Sequence, residues 1–107
     1  MAQTYQVIVS EEAQEEPRQI VAYVLDHAGE EAAMRVREGT LDEIAKLDRF
    51  PHAHALLQGL TAEQAVYRRI LKWSYRIIFT IEESEIRVIV VRIDHARRDP
   101  ASLQGLP

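Results

Sequence analysis

The side chains best suited to chemistry crowd the C-terminal part of the chain: Arg76, His95, Arg97 and Arg98. These types suit acid–base chemistry beside a phosphate, with an imidazole to move protons and guanidinium groups to hold negative charge. The guanidinium of Arg76 can grip a phosphate with two hydrogen bonds. It is equally well read as an exposed strand arginine paired with a carboxylate. His95 has an ordinary pKa of about 6.5, near working pH, which suits a general acid or base. With no tyrosine or second catalytic group beside it, a surface histidine in a turn is the preferred reading. Arg97 and Arg98 could neutralise phosphate or meet acidic residues of a partner, and a solvated tail is the plainer reading of both. Arg68, Arg69 and Lys72 would extend a basic stripe. Strand alternation, however, puts Arg68 and Arg69 on opposite faces, so both cannot serve one site.

Other motifs carry less. His52-Ala53-His54 resembles a fragment of a metal site, but no further histidine or carboxylate has suitable spacing, and a polar loop explains it better. Trp73 stands outside any cofactor motif and reads as a packing residue. Glycines at 29, 39, 59 and 105 are too scattered to cradle a phosphate. The chain has no cysteine, so it carries neither a disulfide framework nor thiolate chemistry. No metal and no cofactor is expected.

The elements that must position these residues follow from apolar spacing. Tyr5, Val7 and Val9 share one face of a short β-branched run, which predicts a strand. Ser10 is a ready N-cap, and Glu11 and Glu12 suit the positive end of a helix dipole. Ala13, Pro17, Ile20, Val21, Val24 and Leu25 then form one apolar helix face. Pro17 predicts a kink, or a helix that starts near Glu16. Ala28-Gly29 ends this helix. A second helix is expected over residues 30–48, with Ala33, Val36, Thr40, Ile44 and Leu47 inward, Leu41 beside them and Gly39 a weak point. Phe50-Pro51 stops it. Residues 52–64 read as loop. Alternation of period two then predicts strands over 66–72, 75–81 and 86–93. The acidic turn Glu82-Glu83-Ser84-Glu85 makes the last two an antiparallel hairpin. Residues 94–107 read as a tail. The order β-α-α-β-β-β predicts an α+β fold: an N-terminal helical hairpin packed on one face of a mostly antiparallel four-stranded sheet.

With 107 residues the chain suits one domain, spanning 1–107. Its 47% hydrophobic and 28% charged residues are ordinary for a soluble globular protein. No apolar run approaches the ~20 residues needed to cross a bilayer. No basic segment followed by an apolar core opens the sequence, so a cytoplasmic location without membrane contact is expected. The net charge of −4 hides an asymmetry. Residues 1–54 hold five Lys/Arg against eleven Asp/Glu, and residues 55–107 hold eight against six. An anionic partner would therefore meet the C-terminal half.

The sequence resembles the RelE/ParE toxins, or plasmid stabilisation proteins. Tyr5-Gln6-Val7-Ile8-Val9-Ser10 before an acidic helix is similar to the family's opening, and Ile20-Val21-Ala22-Tyr23-Val24 to its first helix. Tyr75-Arg76-Ile77-Ile78-Phe79-Thr80-Ile81, an acidic turn and Ile86-Arg87-Val88-Ile89-Val90-Val91-Arg92-Ile93 carry the most specific part. Asp94-His95-Ala96-Arg97-Arg98-Asp99-Pro100 resembles the family's close of the last strand. The resemblance implies a toxin of a type II toxin–antitoxin pair, held by a cognate antitoxin. It implies one of two targets: DNA gyrase, as for ParE-like members, or messenger RNA on the ribosome, as for RelE-like nucleases. For a nuclease it singles out Arg76, with His95 and Arg98. The nucleases commonly carry a C-terminal tyrosine and are strongly basic. Here the last tyrosine is Tyr75 and the chain is acidic, so the ParE-like reading is preferred. An inert member that only binds an antitoxin is the third reading.

The expected partner surface is the helical hairpin. Met34 and Leu41 lie beside the inner stripe, where an amphipathic helix could dock with anchors at i, i+3, i+4 and i+7; an extended segment could instead add as a strand to whichever sheet edge is open. Arg97 and Arg98 are further candidate contacts. Carboxylates at Glu11, Glu12, Glu15, Glu16, Glu30, Glu31, Glu38, Asp42 and Glu43 would crowd the outer helix faces and steer a basic segment. The free protein should be self-associating, as a homodimer, or assemble into a toxin–antitoxin hetero-oligomer.

Overall fold

A computed structural model of the chain describes residues 4–56 and 67–95. Strand β1 (Gln6–Val9) leads into helix α1 (Glu11–Ala28) and helix α2 (Glu30–Ala45), followed by strands β2 (Tyr67–Lys72), β3 (Tyr75–Glu82) and β4 (Arg87–His95). The sheet order is β1-β4-β3-β2, with β1 parallel to β4 and the other pairs antiparallel. The element order and layering are those expected from the sequence.

Local chemistry explains most boundaries. Ser10 caps α1, its hydroxyl accepting from the Ala13 amide at 3.1 Å, which satisfies one of the orphan donors of the first turn. α1 therefore begins at Glu11, not near Glu16, and carries Pro17 inside it. Gly29 ends α1 and begins α2 at φ 92°, a conformation that favours glycine. α2 is shorter than expected. It ends at Ala45 and tightens into a 3-10 turn over Lys46–Asp48. A second such turn, Pro51–Ala53, occupies the start of the expected loop, and Leu56 bridges to Arg68. The rest of that loop lies outside the described residues. β4 runs on to His95, so Asp94 and His95 belong to the sheet and not to a tail.

The hairpin covers one sheet face. Ala13, Ile44 and Leu47 join Tyr5, Ile70, Ile77, Phe79, Val88, Val90 and Ile93 in one buried cluster, with Val7, Val9 and Ile20 packed at its margin. Burying a side chain such as Phe79 contributes about 1.5–3 kcal/mol. A smaller cluster of Tyr67, Ile78 and Val91 is buried on the opposite face.

β4 keeps both faces apolar by a bulge. Phe79 pairs with Val90, but Ile78 pairs with Arg92, which leaves Val91 over. The extra residue reverses the alternation, so Val88, Val90 and Ile93 all face the helices. It also brings Asp94 opposite Arg76.

Candidate functional site

Between α1 and α2 lies an open groove of about 740 Å³. Its α1 wall carries Gln14, Pro17, Arg18, Val21, Ala22 and Leu25; its α2 wall carries Arg37, Thr40, Leu41 and Ile44; Val9 and Ile93 of the sheet lie deeper. The apolar positions predicted to face inward along α1 thus split between core and groove. Ala13 is fully buried, whereas Leu25 remains 47% exposed.

Leu41, half exposed, lines this groove. Met34 is more exposed still but is not among the lining residues. The carboxylates fall in two groups. Glu11, Glu12, Glu15, Glu30, Glu31, Glu38 and Asp42 are exposed, and none lines the groove. Glu16 and Glu43 turn inward instead. Glu43 receives Lys46 at 3.4 Å and Lys72 at 3.7 Å. Among the described residues, the charged ones that do line the groove are Arg18 and Arg37, one from each helix.

A second cleft, of about 520 Å³, runs between α1 and the ends of β3 and β4, lined by Glu16, Gln19, Ile20, Tyr23, Tyr75, Ile93 and Asp94. Glu16 is the organising residue. β1 stops pairing with β4 at Val90, and the β4 edge beyond it needs partners. The Ser10 amide donates to the Val90 carbonyl at 2.9 Å, and its hydroxyl to the Val91 carbonyl at 3.4 Å. The Ile93 amide then donates to Glu16 Oε1 at 3.1 Å, while Arg92 stands 3.5 Å from Oε2. Burial pushes the Glu16 carboxyl above its ordinary range, against the Ile93 amide and Arg92, which pull it down.

Arg76 lies on the face away from the helices. Its Nε and Nη2 donate to Asp94 Oδ1 and Oδ2 at 2.9 and 2.8 Å. Both side chains are buried, at 7% and 1% exposure. A paired strand arginine was one expectation, but an exposed one; sheet and partner together bury it. The sequence reading missed Asp94 because regular pairing from the acidic turn would set Arg76 opposite Ile93. Only the bulge supplies the one-residue shift.

The other candidates disperse. His95 pairs with Tyr75 along the backbone of β4. Arg97 and Arg98 lie outside the described residues. Arg68 turns toward the helix side and donates to the carbonyls of His52 and His54 at 3.2 and 2.6 Å, while Arg69 pairs in register with Ile78 on the other face. The predicted separation of the two arginines therefore holds. His52 contacts Glu83, to which the Tyr5 hydroxyl also donates at 3.2 Å, and the His54 ring stands edge-on to Phe79. No group of three or more metal-binding side chains occurs among the described residues. Trp73 packs against α2. A Cβ on Gly39 would lie 2.9 Å from its Cζ3, so the glycine is what admits the ring. No described helix is long and apolar enough to cross a membrane.

A helical hairpin laid on a mixed four-stranded sheet is the fold of toxins from type II toxin–antitoxin systems. The chromosomal ParDE system of P. aeruginosa superposes with a TM-score of 0.72, at 14% identity over 88% of this chain and 98% of that one. The RelBE2 toxin–antitoxin complex of Mycobacterium tuberculosis gives 0.56, at 20% identity over 87% and 92%. The intact E. coli RelBE toxin–antitoxin complex gives 0.51, at 21% identity over 88% and 99%. At these identities the likeness is one of fold. No curated protein matches by sequence. The family model for the ParE toxin of the type II toxin–antitoxin system parDE matches residues 7–100, and the chain belongs to that family.

Proposed function

We propose that this ParE-family toxin acts by binding a protein target, DNA gyrase by family analogy, and that a cognate antitoxin silences it through the groove between α1 and α2. The commitment of Arg76 carries the non-nuclease part. Its guanidinium is already bidentate on Asp94 in a buried pair. A phosphate would have to displace a charged partner of the same geometry. The C-terminal tyrosine common in RelE-like nucleases is absent, since no tyrosine follows Tyr75. The groove supports the antitoxin part, because exposed Leu25 and Leu41 on facing helices offer anchors for an amphipathic segment. Two of the similar structures are toxin–antitoxin complexes.

The test adds purified protein to a gyrase supercoiling reaction and, separately, to a translating extract. Supercoiling should fail while transcripts stay intact. Discrete ribosome-dependent cuts, abolished by Arg76→Ala in a folded variant, would replace this reading with nuclease action through Arg76, His95 and Arg98. Induced expression should arrest growth, and the adjacent gene should relieve it. Normal growth at high levels of soluble protein would leave only an inert antitoxin binder.

A further inference from the structure

The groove between α1 and α2 has a charge opposite to that of the surface around it. The exposed residues on the outer faces of both helices are rich in carboxylates, including Glu15 and Glu38. Among the described residues, the charged side chains within the groove are Arg18 and Arg37, one on each wall, bordering Leu25 and Leu41. Arg18 meets Glu15, one turn back at 3.5 Å, and its side chain is 75% exposed. A solvated pair of that kind is weak, because water and salt screen it, and it leaves the guanidinium available. Arg37 is likewise exposed.

We infer that the groove selects an amphipathic helix whose apolar anchors are flanked by carboxylates on both sides, with Arg18 and Arg37 as the specificity-determining pair. The inference rests on the groove being the partner site, as proposed above, and names the chemistry of the occupant. A helix seated on the apolar floor brings its flanking positions against the two walls. Carboxylates there meet the two guanidinium groups, while lysines meet like charge. Like-charge contact at a partly desolvated interface discriminates more strongly than long-range attraction by the outer carboxylates, which water and salt screen. The outer acid surface then repels an acidic segment that misses the groove.

Two synthetic helical peptides test this. Both carry leucine at i, i+3, i+4 and i+7, and they differ only in having Glu or Lys at the flanking positions. Titrations with the full chain should show the Glu peptide binding at least about tenfold more tightly, by a margin that shrinks as salt rises. The double variant Arg18→Glu/Arg37→Glu, verified as folded by circular dichroism, should reverse the preference. Equal binding of the two peptides, or a preference for Lys in the parent chain, overturns the inference. Leu41→Asp separates the two levels. If it abolishes binding of both peptides while no charge preference exists, the groove is the partner site and only the charge rule fails. If neither peptide binds the parent, or Leu41→Asp leaves binding intact, the groove reading falls, and the charge rule falls with it.

Discussion

The buried pair of Arg76 and Asp94 makes a sharp claim at the scale of single residues. Taking either partner away strands a charge out of water, and such losses cost about 3–5 kcal/mol. Arg76→Ala and Asp94→Ala should each lower stability by that order in urea titrations. The double variant Arg76→Met/Asp94→Leu, which removes both charges and keeps volume, should recover most of the loss. If Arg76→Ala leaves stability unchanged, the arginine is not spent on the fold and a phosphate role regains ground. Glu16 makes a second claim. Its carboxyl lies above its ordinary value of 4.5, first because of burial. The folded chain then holds this proton more tightly than the unfolded chain does. Glu16 therefore favours folding below pH 4.5, and its contribution declines as pH rises through the unfolded and then the folded value. Glu16→Gln keeps an acceptor for the Ile93 amide and removes the charge. At pH 7 it should be at least as stable as the parent, despite losing Arg92 as an ionic partner, and its stability should vary less between pH 4 and pH 7. A clear loss at pH 7 would mean that the pairing with Arg92 outweighs the cost of burial.

At the scale of elements, Gly39 inverts the usual rule. A helix-interior glycine replaced by alanine normally gains about 1 kcal/mol. Here the new methyl would run into the Trp73 ring, so Gly39→Ala should bring no gain or a loss. In a Trp73→Ala background the same change should recover the full gain. A double-mutant cycle of denaturation measurements reads the coupling, and simple additivity would show that the ring does not rest on α2. This contact also marks where sequence reading stops. Helix faces, the Ser10 cap, the two-faced strands and the acidic turn were legible because each is local and periodic. The spacing of Gly39 and Trp73 gives no sign that they touch, and the glycine reads as mere weakness. The β4 bulge was equally silent. Val90-Val91 suits either parity, and a single extra residue changes what everything after it faces. Arg76 was therefore visible as a candidate and Asp94 was not.

At the scale of the molecule, the chain places an open apolar groove on one side of its sheet and a buried ion pair on the other. The groove was half legible. Leu41 is the groove residue that periodicity could find. Arg18 and Arg37 escaped notice because, at the ends of long side chains on exposed helix faces, nothing in their spacing separates them from ordinary solvated charge. Any occupant that binds only the folded chain must stabilise it, by about 2.7 kcal/mol at a hundredfold excess over its Kd. Thermal melting with the Glu-flanked peptide should therefore rise with peptide concentration, and a midpoint indifferent to it would contradict docking. The contact between Trp73 and α2 has a practical consequence of its own. Trp73 is the only tryptophan in the chain, and it sits at the junction of the β2–β3 turn and the helical hairpin, about half exposed. Its emission colour thus reports whether α2 rests on the sheet. An unlabelled sample carries a built-in optical gauge of that one seam, and a red shift that precedes global unfolding would reveal the hairpin lifting away as a separate event.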